Sequence, residues 1–134
     1  MVLRQYLRRQ PDEELASLLR AIETACSASL VLHPGLCQGR AGLIAALAGA
    51  TEDETRAVRD AQIRRLGWHA VLHRGHLAFP GHRLRRLSTD LATGTAGVLL
   101  ALHHVMAPEG EFLPYLNLTN ATTDHEGGET CLTS

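Results

Sequence analysis

Gly39-Arg40-Ala41-Gly42-Leu43-Ile44-Ala45-Ala46-Leu47 returns 55 positions later as Gly94-Thr95-Ala96-Gly97-Val98-Leu99-Leu100-Ala101-Leu102. The shared pattern is Gly-x-Ala-Gly, two aliphatics, a variable apolar position, then Ala and Leu. A repeat at fixed spacing marks one supersecondary unit used twice, and such units need neighbours to bury their apolar faces. Two copies in 134 residues therefore predict a piece of a ring or solenoid. The residues from Ala41 to Ala48 are apolar all round, which predicts a buried helix opened by the first glycine motif and stopping near Gly49. The second motif opens a matching helix that ends at Pro108.

Around these two helices the chain alternates in polarity. Pro11-Asp12-Glu13-Glu14 suits a helix N-terminus, and Leu15, Leu18, Leu19 and Ile22 then form one stripe of an amphipathic helix ending near Cys26. Thr51-Glu52-Asp53-Glu54 has the order of a capping box, predicting a polar outer helix that runs to about Leu66 and closes at Gly67. From Trp68 to Pro80 the period changes. Ala70, Leu72, Leu77 and Phe79 share one face of a predicted hairpin turning at Arg74-Gly75. Residues 81–93 read as a polar loop carrying Arg83, Arg85 and Arg86. Beyond Leu116 apolar residues nearly vanish, so 117–134 is expected to be a Thr-rich disordered tail.

Composition narrows the class. Hydrophobic residues make up 45% and aromatics 4%, so Leu, Ala and Val supply the packing, which favours helices. A net charge of −1 gives no electrostatic ground for a nucleic-acid partner. All 13 basic residues are arginine. Cys26, Cys37 and Cys131 form no C-x-x-C pair, the first residues lack the apolar run of a signal peptide, and no stretch is long enough to span a bilayer. The expectation is a cytoplasmic protein with reduced thiols and no membrane partner.

Gly35-Leu36-Cys37-Gln38-Gly39-Arg40-Ala41-Gly42 and Asp90-Leu91-Ala92-Thr93-Gly94-Thr95-Ala96-Gly97 resemble the inner-helix motifs of lanthionine synthetase C-like (LanC-like) proteins. The string from Leu87 to Leu102 is similar to the C-terminal part of the cyclase domain in class III lanthipeptide synthetases. Leu113-Pro114-Tyr115-Leu116 resembles the apolar close of those bacterial enzymes. The resemblance covers residues 1–116, which it marks as a partial cyclase domain. It implies a mainly α fold, part of an α/α toroid of inner and outer helices, with the β-hairpin as an insertion. It also implies the activity: a peptide cysteine thiol adds to a dehydrated Ser or Thr, closing a thioether ring in a ribosomally made peptide. The implied partners are that precursor peptide and the upstream kinase and lyase portions of the synthetase, in cis or in trans. A ring cut short exposes apolar faces, so self-association is also expected.

The site residues follow unevenly. Zinc-dependent members of that family hold the metal with one Cys and then a Cys-His pair before the glycine motif. Zinc would make the incoming thiol a nucleophile at neutral pH. Cys37 matches the paired cysteine, but Gln38 stands where the histidine belongs, and the upstream cysteine would precede Met1. No metal or cofactor is therefore expected, Cys37 is expected to be a small buried side chain, and zinc is the alternative. His69, His73, His76 and His82 offer a His-rich clip or, more plainly, a solvated hairpin face. His103 and His104, adjacent on a helix, diverge by roughly 100° and are no ligand pair. Arg40 and Asp90, at the mouths of the two inner helices, are the candidate catalytic groups. Arg40 either pairs with a substrate carboxylate or is an ordinary surface arginine, and Asp90 either acts in catalysis or caps its loop. The Arg83, Arg85 and Arg86 run is either a solvated edge or a surface for an acidic leader peptide. A helical peptide-binding module or an inactive remnant is the rival reading, and no paired carboxylates support a glycosidase toroid.

Overall fold

The computed structural model describes residues 2–107 and Phe112, with the backbone alone at Val2. Its elements are α1 (Val2–Arg9), α2 (Glu13–Ala25), α3 (Arg40–Leu47), α4 (Asp53–Leu66), β1 (Val71–His73), β2 (His76–Ala78) and α5 (Thr95–Met106), with 3₁₀ turns at Gly67–His69 and His82–Leu84. The described chain is mainly helical. The tail from 117 and the close at Leu113–Leu116 lie outside the described residues.

Helix α3 sits between α4 and α5. Its Ala41, Ile44, Ala45 and Leu47 are buried, as is Arg40. Ala41, Ile44 and Ala45, with Leu66, Phe79, Val98, Ala101 and Phe112, make the core cluster. Alanines on the facing helices let α3 and α5 approach closely, and the larger Ile44 and Val98 fill the space between.

Helix α2 begins as expected: the Asp12 carboxylate accepts from the Leu15 N–H at 2.9 Å. Its apolar stripe is not a core face. Leu18 is 51% exposed and Ile22 42%, and no residue of α2 is fully buried. Helix α1, for which no expectation was stated above, packs on α2. Arg4 joins three helices, meeting Glu23 at 2.5 Å and donating to the Ala46 carbonyl at 3.0 Å.

Two local expectations need correction. The N-cap of α4 is Glu52, with no side-chain capping bond, so the Thr51–Glu54 box does not form. Asp53 and Glu54 instead lie in the first turn, where carboxylates favour the helix dipole. Gly67 does not turn left-handed to end α4. Its φ of −56° carries the chain straight into the 3₁₀ turn. The hairpin forms where expected, pairing Val71 with Ala78, Leu72 with Leu77 and His73 with His76. Arg74 (φ 50°) and Gly75 (φ 79°) make its left-handed turn.

Candidate functional site at the paired glycine loops

The repeat in sequence is a repeat in backbone geometry. The Arg40 N–H donates to the His33 carbonyl at 2.9 Å, and 55 residues on the Thr95 N–H donates to the Ser88 carbonyl at 2.8 Å. In each copy the chain doubles back over the mouth of its own helix. A side chain at Gly42 would strike the Leu36 carbonyl, and one at Gly97 would strike the equivalent Leu91 carbonyl. Close backbone approach therefore requires these two glycines.

The two loops also hold each other. The Cys37 N–H donates to the Ala92 carbonyl at 2.9 Å. A Cβ at Gly35 would sit 2.6 Å from the Thr93 Cα. Between them lies a crevice of about 10 Å³, room for one water at most, flanked by His33, Gln38, His82 and Thr93. Beside it an open groove of about 480 Å³ runs past Ala28, Val31, Leu36, Cys37 and Leu43.

Cys37 is exposed, contrary to the buried position expected. Its loop turns the side chain outward because the backbone there is pinned to Ala92. The buried thiol is Cys26, whose pKa burial pushes up. Gln38 is exposed next to Cys37. One thiol beside a carboxamide does not make a tetrahedral zinc site. Among the described residues no group of three or more His, Cys, Asp or Glu side chains is placed to hold a metal ion.

Arg40 is not a surface arginine. It is 1% exposed, hydrogen-bonded to the Gln62 Oε1 and donating to the carbonyls of Ser29 and Val31 at 3.3 and 3.4 Å. Its Nε has no partner. Burial, and then the like charge of Arg65, lower its pKa. Gln62 completes the staple, donating to the Cys26 and Ala28 carbonyls at 2.7 and 2.9 Å. His69 lies close by, its pKa lowered by burial and then by the Arg40 charge.

Asp90 caps its loop. The carboxylate is bonded by Ser88 Oγ, accepts from the Thr93 N–H at 2.6 Å and also meets Thr93 Oγ1. The Ser88 bond first, then those from Thr93, hold its pKa down to about 2. The hairpin histidines His73 and His76 face each other as expected and are exposed. His103 and His104 do diverge: His103 is exposed, whereas His104 is buried with its ring 4.7 Å from that of Phe112. Arg83, Arg85 and Arg86 are exposed.

Sequence reasoning missed Gln62. Thr55, Gln62 and Leu66 share a buried face of α4 at spacings of seven and four, a stripe legible only once a polar residue is allowed in it.

No family model and no solved structure matches the chain. The chain is 43% identical over 120 residues to the "Probable SapB synthase" of Streptomyces coelicolor (strain ATCC BAA-471 / A3(2) / M145). The match takes in 87% of this chain but only 13% of that relative's length.

Proposed function

We propose that this chain, 43% identical to a stretch of the probable SapB synthase, is part of a lanthipeptide synthetase, namely the C-terminal portion of a LanC-like cyclase domain of class III type. The observation that carries this reading is the doubled glycine loop, with the two apolar helices α3 and α5 packed together and the more polar α4 against α3. In that reading α3 and α5 are neighbouring inner helices of an α/α toroid and the rest of the ring comes from further chain, in cis or in trans. The half-exposed stripe on α2 is then a face that the missing helices, or a second copy, would cover. Among the described residues no helix is long and apolar enough to cross a membrane. A cytoplasmic place fits a precursor peptide made there.

The reaction adds a peptide cysteine sulfur to the β-carbon of a dehydroalanine or dehydrobutyrine. The S–C bond forms as the C=C π bond breaks, the thiol proton leaves to a base, and the α-carbon gains a proton. The two candidate polar groups at the helix mouths hold the framework: Arg40 ties α3 to α4, and Asp90 fixes the second loop. Neither is free to accept the thiol proton, since one is a buried cation and the other a carboxylate with a pKa of about 2. His33 and His82 flank the crevice between the loops, and imidazole is the side chain suited to moving a proton near neutrality.

The test is to incubate the chain, alone and with the remaining portions of a synthetase, with a peptide holding one dehydroalanine and one cysteine. Ring closure leaves the mass unchanged and removes the alkylatable thiol. Thiol loss only when this chain is present supports the reading. Unchanged thiol in both mixtures, beside an active intact synthetase, sinks it in favour of a non-catalytic peptide-binding module. That rival draws on the engaged Asp90 and the buried Arg40.

A further inference from the structure

At the mouths of α3 and α5, Arg40 is bonded to Gln62 and two carbonyls, and Asp90 holds Ser88 and Thr93. Three polar side chains nearby are not engaged. Among the described residues, those of His33, Gln38 and His82 make no hydrogen bond or ion pair. All three line the crevice between the two glycine loops. The backbone beneath both histidines is fixed. The His33 carbonyl accepts the Arg40 N–H at 2.9 Å, and the Pro34 carbonyl accepts the Ala41 N–H at 3.0 Å. Gly81, just before His82, donates its N–H to the Arg86 carbonyl at 2.8 Å, and a Cβ there would sit 2.5 Å from the Ser88 Cβ. One histidine therefore comes from the segment before α3 and the other from the segment before α5. The space between has room for one water, and Thr93 Oγ1, which donates to Asp90, keeps a lone pair for it. Gln38 lines both the crevice and the open groove past Cys37.

We propose that His33 and His82 divide the two proton transfers of thioether closure, His33 taking the proton from the peptide thiol and His82 delivering one to the α-carbon, with a water in the crevice passing the proton back between them. This rests on the synthetase reading and adds a separate role for each imidazole. A base and an acid are needed in the same turnover, in opposite protonation states, which two imidazoles near neutrality supply. Val31, Leu36 and Cys37, on either side of His33 in the chain, line the groove, whereas no residue of the segment around His82 does. The thiol in the groove is thus served by His33. The sulfur electron pair forms the S–C bond at the β-carbon, and the C=C π pair moves to the α-carbon and its carbonyl as an enolate. The N–H of protonated His82 quenches that enolate. His33, now protonated, gives its proton to the water, the water gives one to neutral His82, and both side chains are restored.

The full chain, together with the remaining portions of a synthetase, is given a peptide with one dehydroalanine and one cysteine. Thiol loss reads the rate, and chiral analysis of the hydrolysed lanthionine reads the configuration at the α-carbon. His82 is exposed, so H82N should keep its thermal melt. Its rate should fall at least about tenfold, and its product should be a mixture of α-carbon configurations, because solvent then protonates the enolate from either face. H33N should lose about a hundredfold near neutrality and recover as pH rises toward the ordinary thiol value of about 8.5, where thiolate forms without a base. A merely structural defect would change neither the configuration nor the shape of the pH profile. H82N that keeps its rate and one configuration overturns the proposal, and it decides the matter even where H33N unfolds. An H33N deficit equal at every pH, in a chain that melts normally, overturns it too. Ring closure indifferent to both histidines sinks only this assignment of roles, whereas wild-type mixtures that close no ring sink the synthetase reading itself.

Discussion

Replacing Gln62 by alanine is the sharpest test of how the site is held. Gln62 is completely buried and satisfies three groups on other segments: the Arg40 guanidinium, the Cys26 carbonyl and the Ala28 carbonyl. Losing the two neutral bonds costs about 1 kcal/mol each, and losing the charged one about 1.5–3 kcal/mol. The vacated volume adds about 1 kcal/mol. Together about 4.5–6 kcal/mol disappears, which is much of the total stability of an ordinary domain, about 5–15 kcal/mol. Gln62→Ala should therefore shift the urea midpoint strongly or leave the chain unfolded. Gln62→Glu should fall between: it supplies Arg40 with a counter-charge but aims an oxygen at two carbonyls. The double variant Arg40→Met with Gln62→Leu guards against a trivial result. Removing both polar partners leaves no orphaned charge, so its loss should be smaller than the two single losses added, by at least about 1.5 kcal/mol. Urea unfolding followed by circular dichroism reads all of these. A cost below about 1 kcal/mol for Gln62→Ala, or strict additivity in the double variant, would refute the staple.

The remaining predictions probe the loops. Gly97→Ala, whose Cβ would strike the Leu91 carbonyl, should cost about 3 kcal/mol, whereas Gly67→Ala, in open space with helical dihedrals, should gain about 0.4–1 kcal/mol; thermal melts of the two variants compare them. Because the Asp90 pKa is held down to about 2 in the fold, its contribution is complete above the ordinary value near 4 and is lost as pH falls from there toward 2; Asp90→Asn should flatten the melting temperature across that window, and an unchanged acid slope would refute the capping role. Iodoacetamide followed by peptide mapping should label Cys37 in the native chain and reach Cys26 only on unfolding, since the first is exposed and the second is buried with a raised pKa.

Periodicity carried most of the fold. The all-apolar run at Ala41–Ala48 and the repeat at Gly94 announced α3 and α5, because a helix with no polar side has nowhere to lie except inside. The hairpin was legible to the residue, from alternation and the Arg74-Gly75 turn. Helix ends were less so. Thr51 and Glu54 have the right order for a cap, yet the chain enters the helix one residue later, and a local motif cannot report the approach angle set by α3. The site was least legible. Arg40 reads as a surface residue by type, and only the three-dimensional meeting of α4 with the segment after α2 makes its burial possible. Cys37 failed in the opposite sense, since free cysteine is usually buried. Its exposure follows from a bond to Ala92, which is distant in sequence.

That clasp between Cys37 and Ala92 also sets a folding problem. Helix α3 has eight residues, too few to persist in water without neighbours. Its partner α5 is synthesised some 55 residues later, and closing a flexible loop of that length costs about 3.5 kcal/mol of chain entropy before any contact repays it. Most helical domains fold through contacts close in sequence. Here the decisive contact joins the ends of a long excursion through α4 and the hairpin. Folding should therefore be slow for a helical chain, with the α3–α5 packing already formed at the barrier and the α1–α2 pair added late.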